Sequence, residues 1–382
     1  MSHPIIAPPA TLALLGGGQL GRFFVHAAHE LGYKVIVLDP DTDAPAGKIA
    51  DGHIIANYDD QAALTQLSQQ CLAATTEFEN VPAAVLEQLA QTMPVSPSAD
   101  AVSIAQDRIR EKAFLHDNGF NTAPFIAVEN ENDLDAASDD LFPAILKTAR
   151  FGYDGKGQAR VTTIDEAKAA YREFNIPCVL ERMLPLDLEV SVVLARSTNG
   201  QCSCFPLAEN EHRNGILDVT VVPARTTPRL QQQAEQMASN LAEKLGYVGV
   251  LTVEFFISDS QLLINEIAPR PHNSGHYTVD GCVTSQYEQQ LRALCGLPLG
   301  SAALHSDSVM VNLLGDLWFQ DSDKSCEPNW QLLHQIPNLK LHLYGKTSAR
   351  RGRKMGHFTV IGDNAKATVT TAMAARKTIG IK

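Results

Sequence analysis

No stretch of this chain approaches the roughly 20 consecutive apolar residues that a membrane-spanning helix requires. The opening MSHPIIAPPA has neither the basic start nor the long apolar core of a secretion signal. These absences predict a cytoplasmic protein with no membrane partner. Positive charge is also short: 31 Lys and Arg stand against 43 Asp and Glu, a formal net charge of −12. That balance excludes a broad nucleic-acid surface and confines any anion site to a local basic pocket. Paired-cysteine spacings are missing too. The seven Cys fall at 71, 178, 202, 204, 282, 295 and 326, and only Cys202 and Cys204 are close. No zinc ligand set or disulfide framework fits that distribution, so reduced thiols are expected.

What remains is an ordinary globular composition, 45% hydrophobic and 19% charged. A chain of 382 residues predicts two or three domains. Residues 11 to roughly 100 alternate strand and helix signals. Strands are expected at Leu12–Leu15, Lys34–Leu38, His53–Ala56 and Ala73–Thr76, which makes a doubly wound parallel α/β unit. MPVSPSAD (93–100) reads as an exit linker, and DRIREKAFLHDNG (107–119) as a helix that stops at Gly119. From there to about residue 300 the strands read as antiparallel. The tail from about 308, with VMVNLLG, LKLHLYG and HFTVIG, reads as a small β-rich domain.

The first chemical motif is LLGGGQLGR (14–22). Gly16, Gly18 and Gly21 spell G-x-G-x-x-G between an apolar strand and a helix, and Asp39 ends the next strand. This pattern suits a dinucleotide, and an NAD-dependent dehydrogenase is the reading it offers alone. Five other constellations pull elsewhere. VLTVEFFISDSQLLINEI (250–267) is a hairpin turning at Ser258–Gln261, which sets Glu254 opposite Asn265 and Glu266. Carboxylates that close repel unless a proton or cation intervenes, and Mg²⁺ shared with phosphates suits them. GYDGKGQ (152–158) is a three-glycine turn flanked by Lys147 and carrying Lys156; alone it fits either a phosphate loop or an ordinary hairpin. Glu181-Arg-Met-Leu184 and Glu189 can supply backbone bonds to a base and a carboxylate to a ribose. Arg270-Pro-His-Asn-Ser-Gly-His276 packs one Arg, two His and an Asn into a strand exit. Finally, Lys346, Arg350, Arg351, Arg353 and Lys354 fall in nine residues without an acid, which suits a phosphate monoester.

Together these residues resemble the ATP-grasp superfamily, and within it the 5-(carboxyamino)imidazole ribonucleotide synthetases of purine biosynthesis. The resemblance rests on GGGQLGR (16–22), TEFENVP (76–82), QDRIREK (106–112), FGYDGKGQ (151–158), PLAENEHRNGIL (206–217), NEIAPRPHNSGH (265–276), YGK (344–346) and GRKMGH (352–357). It implies α/β and α+β architecture in three parts. These are a Rossmann-like pre-ATP-grasp domain (1–100), an ATP-grasp domain (101–300, lid about 113–184) and a C-terminal β-rich domain (301–382). It implies that the glycine turn serves a ribonucleotide pocket and binds no NAD.

The activity implied is ATP-dependent carboxylation of 5-aminoimidazole ribonucleotide by bicarbonate through carboxyphosphate. The alternative is a formate-using ligase that acts on glycinamide ribonucleotide. ATP would be bound by Arg108, Lys147, Gly152, Tyr153, Asp154, Gly155, Lys156, Gly157, Gln158, Glu181, Arg182, Met183, Leu184, Glu189, His212, Asn265 and Glu266. Mg²⁺ would sit on Glu254 and Glu266. The substrate would meet Gln19, Leu20, Glu77, Tyr153, Asp154, Arg270, His272, Asn273, Lys346, Arg353 and Lys354. Arg270, Tyr153, Asp154 and Lys147 form the catalytic set implied. A homodimer is the assembly the resemblance suggests. It assigns no chemistry to the last 20 residues.

Overall fold

The computed structural model describes residues 5–152, 156–319 and 324–381. Its first layer is a five-stranded parallel sheet of β1 (Thr11–Leu15), β2 (Lys34–Leu38), β3 (Gly52–Ile54), β4 (Ala73–Thr76) and β5 (Val95–Ser96). The order is β3-β2-β1-β4-β5. Such a sheet is covered on both faces, which is why β1 and β4 read as apolar or small runs without alternation. The order reverses between β1 and β4, the switch point past whose strand ends sheets of this kind form a crevice. The glycine turn leaves β1 at that switch point and starts the helix Gln19–Glu30.

One expectation is corrected here. The segment 93–100 is not a linker: Val95 and Ser96 pair in parallel with Ala74 and Thr75, and Ser96 is buried. Its hydroxyl donates to Val248 O at 2.6 Å, and Gln290 Nε2 donates to Ser96 O at 3.2 Å. A two-residue strand between prolines is too short to show a period, and both of these partners lie far ahead in the chain.

The second sheet has four antiparallel strands: β6 (Phe125–Val128), β7 (Ala144–Thr148), β8 (Gln158–Val161) and β9 (Cys178–Arg182), in the order β6-β9-β7-β8. The helix Ile164–Phe174 covers one face, burying Ala167 against Leu146, Val161 and Leu180.

The third sheet is the largest. It comprises β10 (Leu188–Arg196), β11 (Cys202–Cys204), β12 (Ala208–Arg213), β13 (Ile216–Val222), β14 (Gly249–Ser258), β15 (Gln261–Ala268), β16 (Asp307–Leu314), β17 (Leu339–Leu343) and β18 (Lys354–Gly362). The main path runs β15-β14-β10-β12-β13-β16-β18-β17, and β11 pairs with β10. The helix Pro228–Lys244 lays Ala234, Ala238, Leu241 and Ala242 on Val192, Leu194, Leu251 and Val253. The spacing is helical, and the small side chains let helix and sheet approach closely.

The strands expected in the tail are present. They do not form a sheet of their own: Val219–Val222 pair with Ser308–Val311, so β16, β18 and β17 extend the central sheet. The last residues form a helix, Ala365–Thr378, which packs Ala372 and Ala375 on Val309, Val311 and Val360. All seven cysteines are free thiols.

Candidate active site

The floor of the site is the β14–β15 hairpin. Its short turn fixes the register, and Glu254 faces Glu266 directly. A bulge follows Glu254, so Phe255 pairs with Ile264 and Asn265 is left out of the ladder. Flanking residues Val253, Phe255, Ile264 and Ile267 are buried. Burial first, and then the charge of Glu266, push the Glu254 carboxyl up to about 7. Burial opposes ionisation of Glu266 as well, yet Arg108 at 2.8 Å outweighs it and holds Glu266 down at about 2. Glu266 is thus the ionised acid of the pair and Glu254 the one biased toward its protonated form, a balance that a divalent cation would change. His272 Nε2 stands 3.3 Å from Glu254 Oε1. Burial and the neighbouring Arg270 keep that imidazole well below its usual range.

Arg108 belongs to the helix Arg108–Asp117, capped by Asp107, whose carboxylate accepts from Ile109 N and Arg110 N. Positions i, i+3 and i+4 share a helix face, so Arg108, Glu111 and Lys112 point at the hairpin together. Lys112 Nζ donates to Asn265 O at 2.8 Å and lies 3.3 Å from Glu181 Oε1. Lys147, on β7, donates to Glu181 Oε2 at 2.7 Å. Burial disfavours the Glu181 charge, but the two ammonium groups hold the carboxyl at about 2. Burial lowers Lys147 in turn, against the pull of Glu181. Two buried cations, Lys112 and Lys147, and the half-buried Arg108 thus face the two carboxylates of Glu181 and Glu266, an end suited to phosphate oxygens. Glu111 Oε1 accepts from Ile267 N at 2.6 Å, and burial raises its carboxyl to about 7 despite Lys112 and Arg108.

Further along the cleft, Glu189 Oε2 lies 2.8 Å from His212 Nδ1. Burial lowers the affinity of His212 for a proton, but Glu189, together with Glu254 and Glu266, raises it above its ordinary value. Arg182 is exposed and Met183 partly so; their amides donate to Pro124 O and Pro143 O as the chain passes through Leu184. Of the glycine loop, Gly152, Lys156, Gly157 and Gln158 are placed, whereas Tyr153, Asp154 and Gly155 lie outside the described residues. Gly157 has φ +68°, and a Cβ there would meet Thr148 Oγ1 at 2.5 Å, so the turn requires glycine. Gly152, Arg108, Glu266, Arg270 and His272 line one cavity. Arg270 is paired with Glu79 and also donates to Pro271 O at 3.1 Å.

On the opposite wall the first glycine turn is already filled by the chain itself. The carboxylate of Glu77, just past β4, accepts from Gly18 N at 2.8 Å and Gly21 N at 3.0 Å. A helix N-terminus of this kind attracts an anion, and the chain supplies its own. A Cβ on Gly18 would meet Glu77 Oε1 at 2.7 Å. Asp39 is equally committed: it accepts from Gly17 N, Asp41 N and the Tyr58 hydroxyl. Neither the pyrophosphate slot nor the ribose acid of a dinucleotide site is open. Gln19 Oε1 accepts from Lys346 Nζ at 2.8 Å, which brings the tail's basic cluster to the turn. Lys346 also donates to Lys354 O at 2.6 Å, and Arg353 donates to Ser348 O at 2.8 Å. The Leu20 side chain packs with Ala27 and Tyr287 in an apolar cluster. Asn273 is buried, and among the described residues neither end of its amide has a hydrogen-bond partner; Asn265 Oδ1 is in the same state. A buried polar group without a protein partner calls for a water, an ion or a ligand to satisfy it.

Three residues of this constellation do not stand out in the sequence: Glu79, Glu111 and Lys112. Lys112 carries a usable signal, a second base one turn after Arg108. Glu79 carries little, because its partner is 191 positions away.

Three known domain families match this chain in order. Residues 10–106 match the ribonucleotide synthetase preATP-grasp domain, 113–287 the ATP-grasp domain, and 308–371 the phosphoribosylaminoimidazole carboxylase C-terminal domain. The chain is 44% identical to the N5-carboxyaminoimidazole ribonucleotide synthase of Brucella melitensis over 366 residues, covering 94% of this chain and 99% of that protein. Its fold is similar to the N5-carboxyaminoimidazole synthetase of Staphylococcus aureus complexed with ADP. The TM-score is 0.90 and the identity 38%, over 98% of this chain and 99% of the other. It is also similar to the N5-carboxyaminoimidazole synthase of Aspergillus clavatus in complex with ADP and 5-aminoimidazole ribonucleotide. There the TM-score is 0.86 and the identity 30%, over 97% and 98% of the two chains.

Proposed function

The chain belongs to the N5-carboxyaminoimidazole ribonucleotide synthases, ATP-grasp ligases of purine biosynthesis, and from that premise we infer how its residues carry the reaction. The reaction is the ATP-dependent carboxylation of the 5-amino group of 5-aminoimidazole ribonucleotide. The formate-using alternative falls with the family assignment.

In our reading, ATP lies between the four-stranded sheet and the hairpin floor, its phosphates toward Arg108, Lys147 and the 152–158 loop. Glu181 to Leu184 and Glu189 hold the nucleoside end, with His212 fixed by Glu189. Mg²⁺ fits the facing acids: Glu254 and Glu266 would hold it, beside the unpartnered Asn265 Oδ1, and when bound it would neutralise phosphate charge. A bicarbonate oxygen attacks the γ-phosphorus, the bond to ADP breaks, and carboxyphosphate forms. Arg270 is placed to stabilise the transferring group once it exchanges Glu79 for an anion. The 5-amino nitrogen then forms a bond to the carboxyl carbon, or to CO₂ released from it. Phosphate leaves with the C–O electron pair, and the amine gives up a proton. Positioning and charge neutralisation supply most of the acceleration in such a transfer.

His272, Asn273, Gln19, Lys346, Arg353 and Lys354 take the ribonucleotide, the last three at its 5′-phosphate; Glu77 fixes the turn that carries Gln19. Tyr153 and Asp154 are assigned to the junction of the two substrates by their place in the 152–158 loop. A cytoplasmic homodimer is the assembly we propose, tested by sedimentation of the purified chain. Among the described residues no helix is long and apolar enough to cross a membrane.

The observation that carries the residue assignment is the Glu254–Glu266 pair with Arg108 against it. The test is ADP release, with and without 5-aminoimidazole ribonucleotide and bicarbonate, with formate as the control acyl donor. Release that needs the ribonucleotide and bicarbonate supports the reading. Release driven by formate, or by neither, overturns it.

A further inference from the structure

Behind the hairpin floor runs a chain of buried hydrogen bonds that the reaction above does not use. Thr220 on β13 donates its hydroxyl to Asn210 Oδ1 on β12 at 3.0 Å. Asn210 Nδ2 donates to Ser191 Oγ on β10 at 2.9 Å. Ser191 donates to Ser274 Oγ at 2.9 Å, and Ser274 Oγ lies 2.9 Å from His272 Nδ1. All four residues before the histidine are buried. The run crosses three adjacent strands and then rises into the loop 270–276. It returns to the floor through His272, whose Nε2 faces Glu254; Glu254 itself sits opposite Ser191 in the β10–β14 register.

The polarity of this run is fixed at its end. The backbone N–H of Ser274, which can only donate, points at His272 Nδ1 at 3.3 Å. Nδ1 is therefore an acceptor and bears no proton. Each serine has one hydroxyl proton. Ser191 spends its own on Ser274, so Ser274 must spend its own on Nδ1. The reverse order would set an Nδ1–H against the Ser274 N–H. The imidazole is left with its single proton on Nε2, turned to a carboxyl oxygen of Glu254.

We infer that Thr220, Asn210, Ser191 and Ser274 are positioning residues that lock His272 as the Nε2–H tautomer, so that it presents a fixed donor to the acid pair. The inference rests on the proposed role of that pair, and it concerns the layer behind the ligands rather than the ligands. Outer hydrogen-bond partners of this kind orient a ligating group, and their loss costs about tenfold or more in activity or metal affinity.

The test is nitrogen-15 NMR of the full chain labelled at histidine, with His272 assigned by loss of its signals in His272→Gln. The expected spectrum has an unprotonated, pyridine-type Nδ1 and a protonated, pyrrole-type Nε2. Asn210→Leu and Ser191→Ala each cut the run. In each, the tautomer should become a mixture and kcat should fall about tenfold, while the KM for ATP stays within about twofold of the parent. Ser191→Thr, which keeps the hydroxyl, should restore both. A protonated Nδ1 in the parent protein overturns the inference without any variant. An unchanged tautomer in folded Asn210→Leu also overturns it, even if activity falls. Because the spectrum needs no turnover, a failure of the assigned reaction would leave this result readable on its own.

Discussion

Replacing Glu111 by glutamine should make the protein more stable at neutral pH, and the structure sets how much. Glu111 is 2% exposed. Its carboxylate accepts a hydrogen bond from Ile267 N. Burial, opposed in part by Lys112 and Arg108, raises its carboxyl from 4.5 to about 7. Between those two values the folded protein keeps a proton that the unfolded chain has released. Stability therefore falls as pH rises through that window, and the loss is complete above about 7. At about 1.4 kcal/mol for each tenfold the loss is about 3 kcal/mol. Glutamine keeps the oxygen that Ile267 N needs and removes the titration. Urea unfolding of parent and Glu111→Gln at pH 5 should give similar stabilities, since the parent carboxyl is protonated there in the fold. By pH 8 the variant should lead by up to about 3 kcal/mol. Parallel profiles from pH 5 to 8 would refute the reasoning. A variant that loses ground above pH 7 would mean that Glu111 is ionised in the fold as a partner of Arg108 and Lys112.

Glu266→Gln should lower ADP release by about 100- to 1000-fold, the scale of losing one preorganised electrostatic group, while the circular dichroism spectrum is retained. Near-normal turnover would end the assignment of the acid pair to metal. Lys346→Ala removes a charged donor that touches Gln19. It should raise the KM for 5-aminoimidazole ribonucleotide by an amount equivalent to about 2 kcal/mol and leave the KM for ATP in place; steady-state kinetics with one substrate varied at a time reads both. Gly18→Ala puts a methyl 2.7 Å from Glu77 Oε1 and must displace that carboxylate from the turn. A destabilisation of about 1–3 kcal/mol is expected by thermal or urea unfolding.

How much of this was legible in the sequence depended on how local each determinant is. The Glu254–Glu266 pairing could be read because a short turn fixes the register within a single hairpin. The parallel sheet could be read because β1, β2 and β4 are uniform apolar or small runs. The glycine motif announced the fold correctly and its ligand wrongly, since what fills the turn is Glu77, 59 positions beyond Gly18. Strand β5 was invisible: two residues have no period, and its bonds to Val248 and Gln290 are long-range. Glu79 could not be picked out for the same reason, as only the folded chain brings it to Arg270.

The pairing of β13 with β16 bears on how this protein can be cut. A division of the chain into three units along its length would suggest that the residues from 308 onward can be expressed or deleted separately, as a detachable module is. They cannot be removed cleanly. Deleting them strips the hydrogen-bonding edge from Val219-Thr220-Val221-Val222, a β-branched run made to be covered. A bare edge of that composition is a template for another copy of itself, so the truncated chain should precipitate rather than survive as a smaller enzyme. The intact chain ends its sheet instead on β17, a five-residue strand with an exposed Lys340, a poor seed for further strands. The residues from 308 onward thus cover the edge of the central sheet as well as carrying the basic residues Lys346, Arg353 and Lys354.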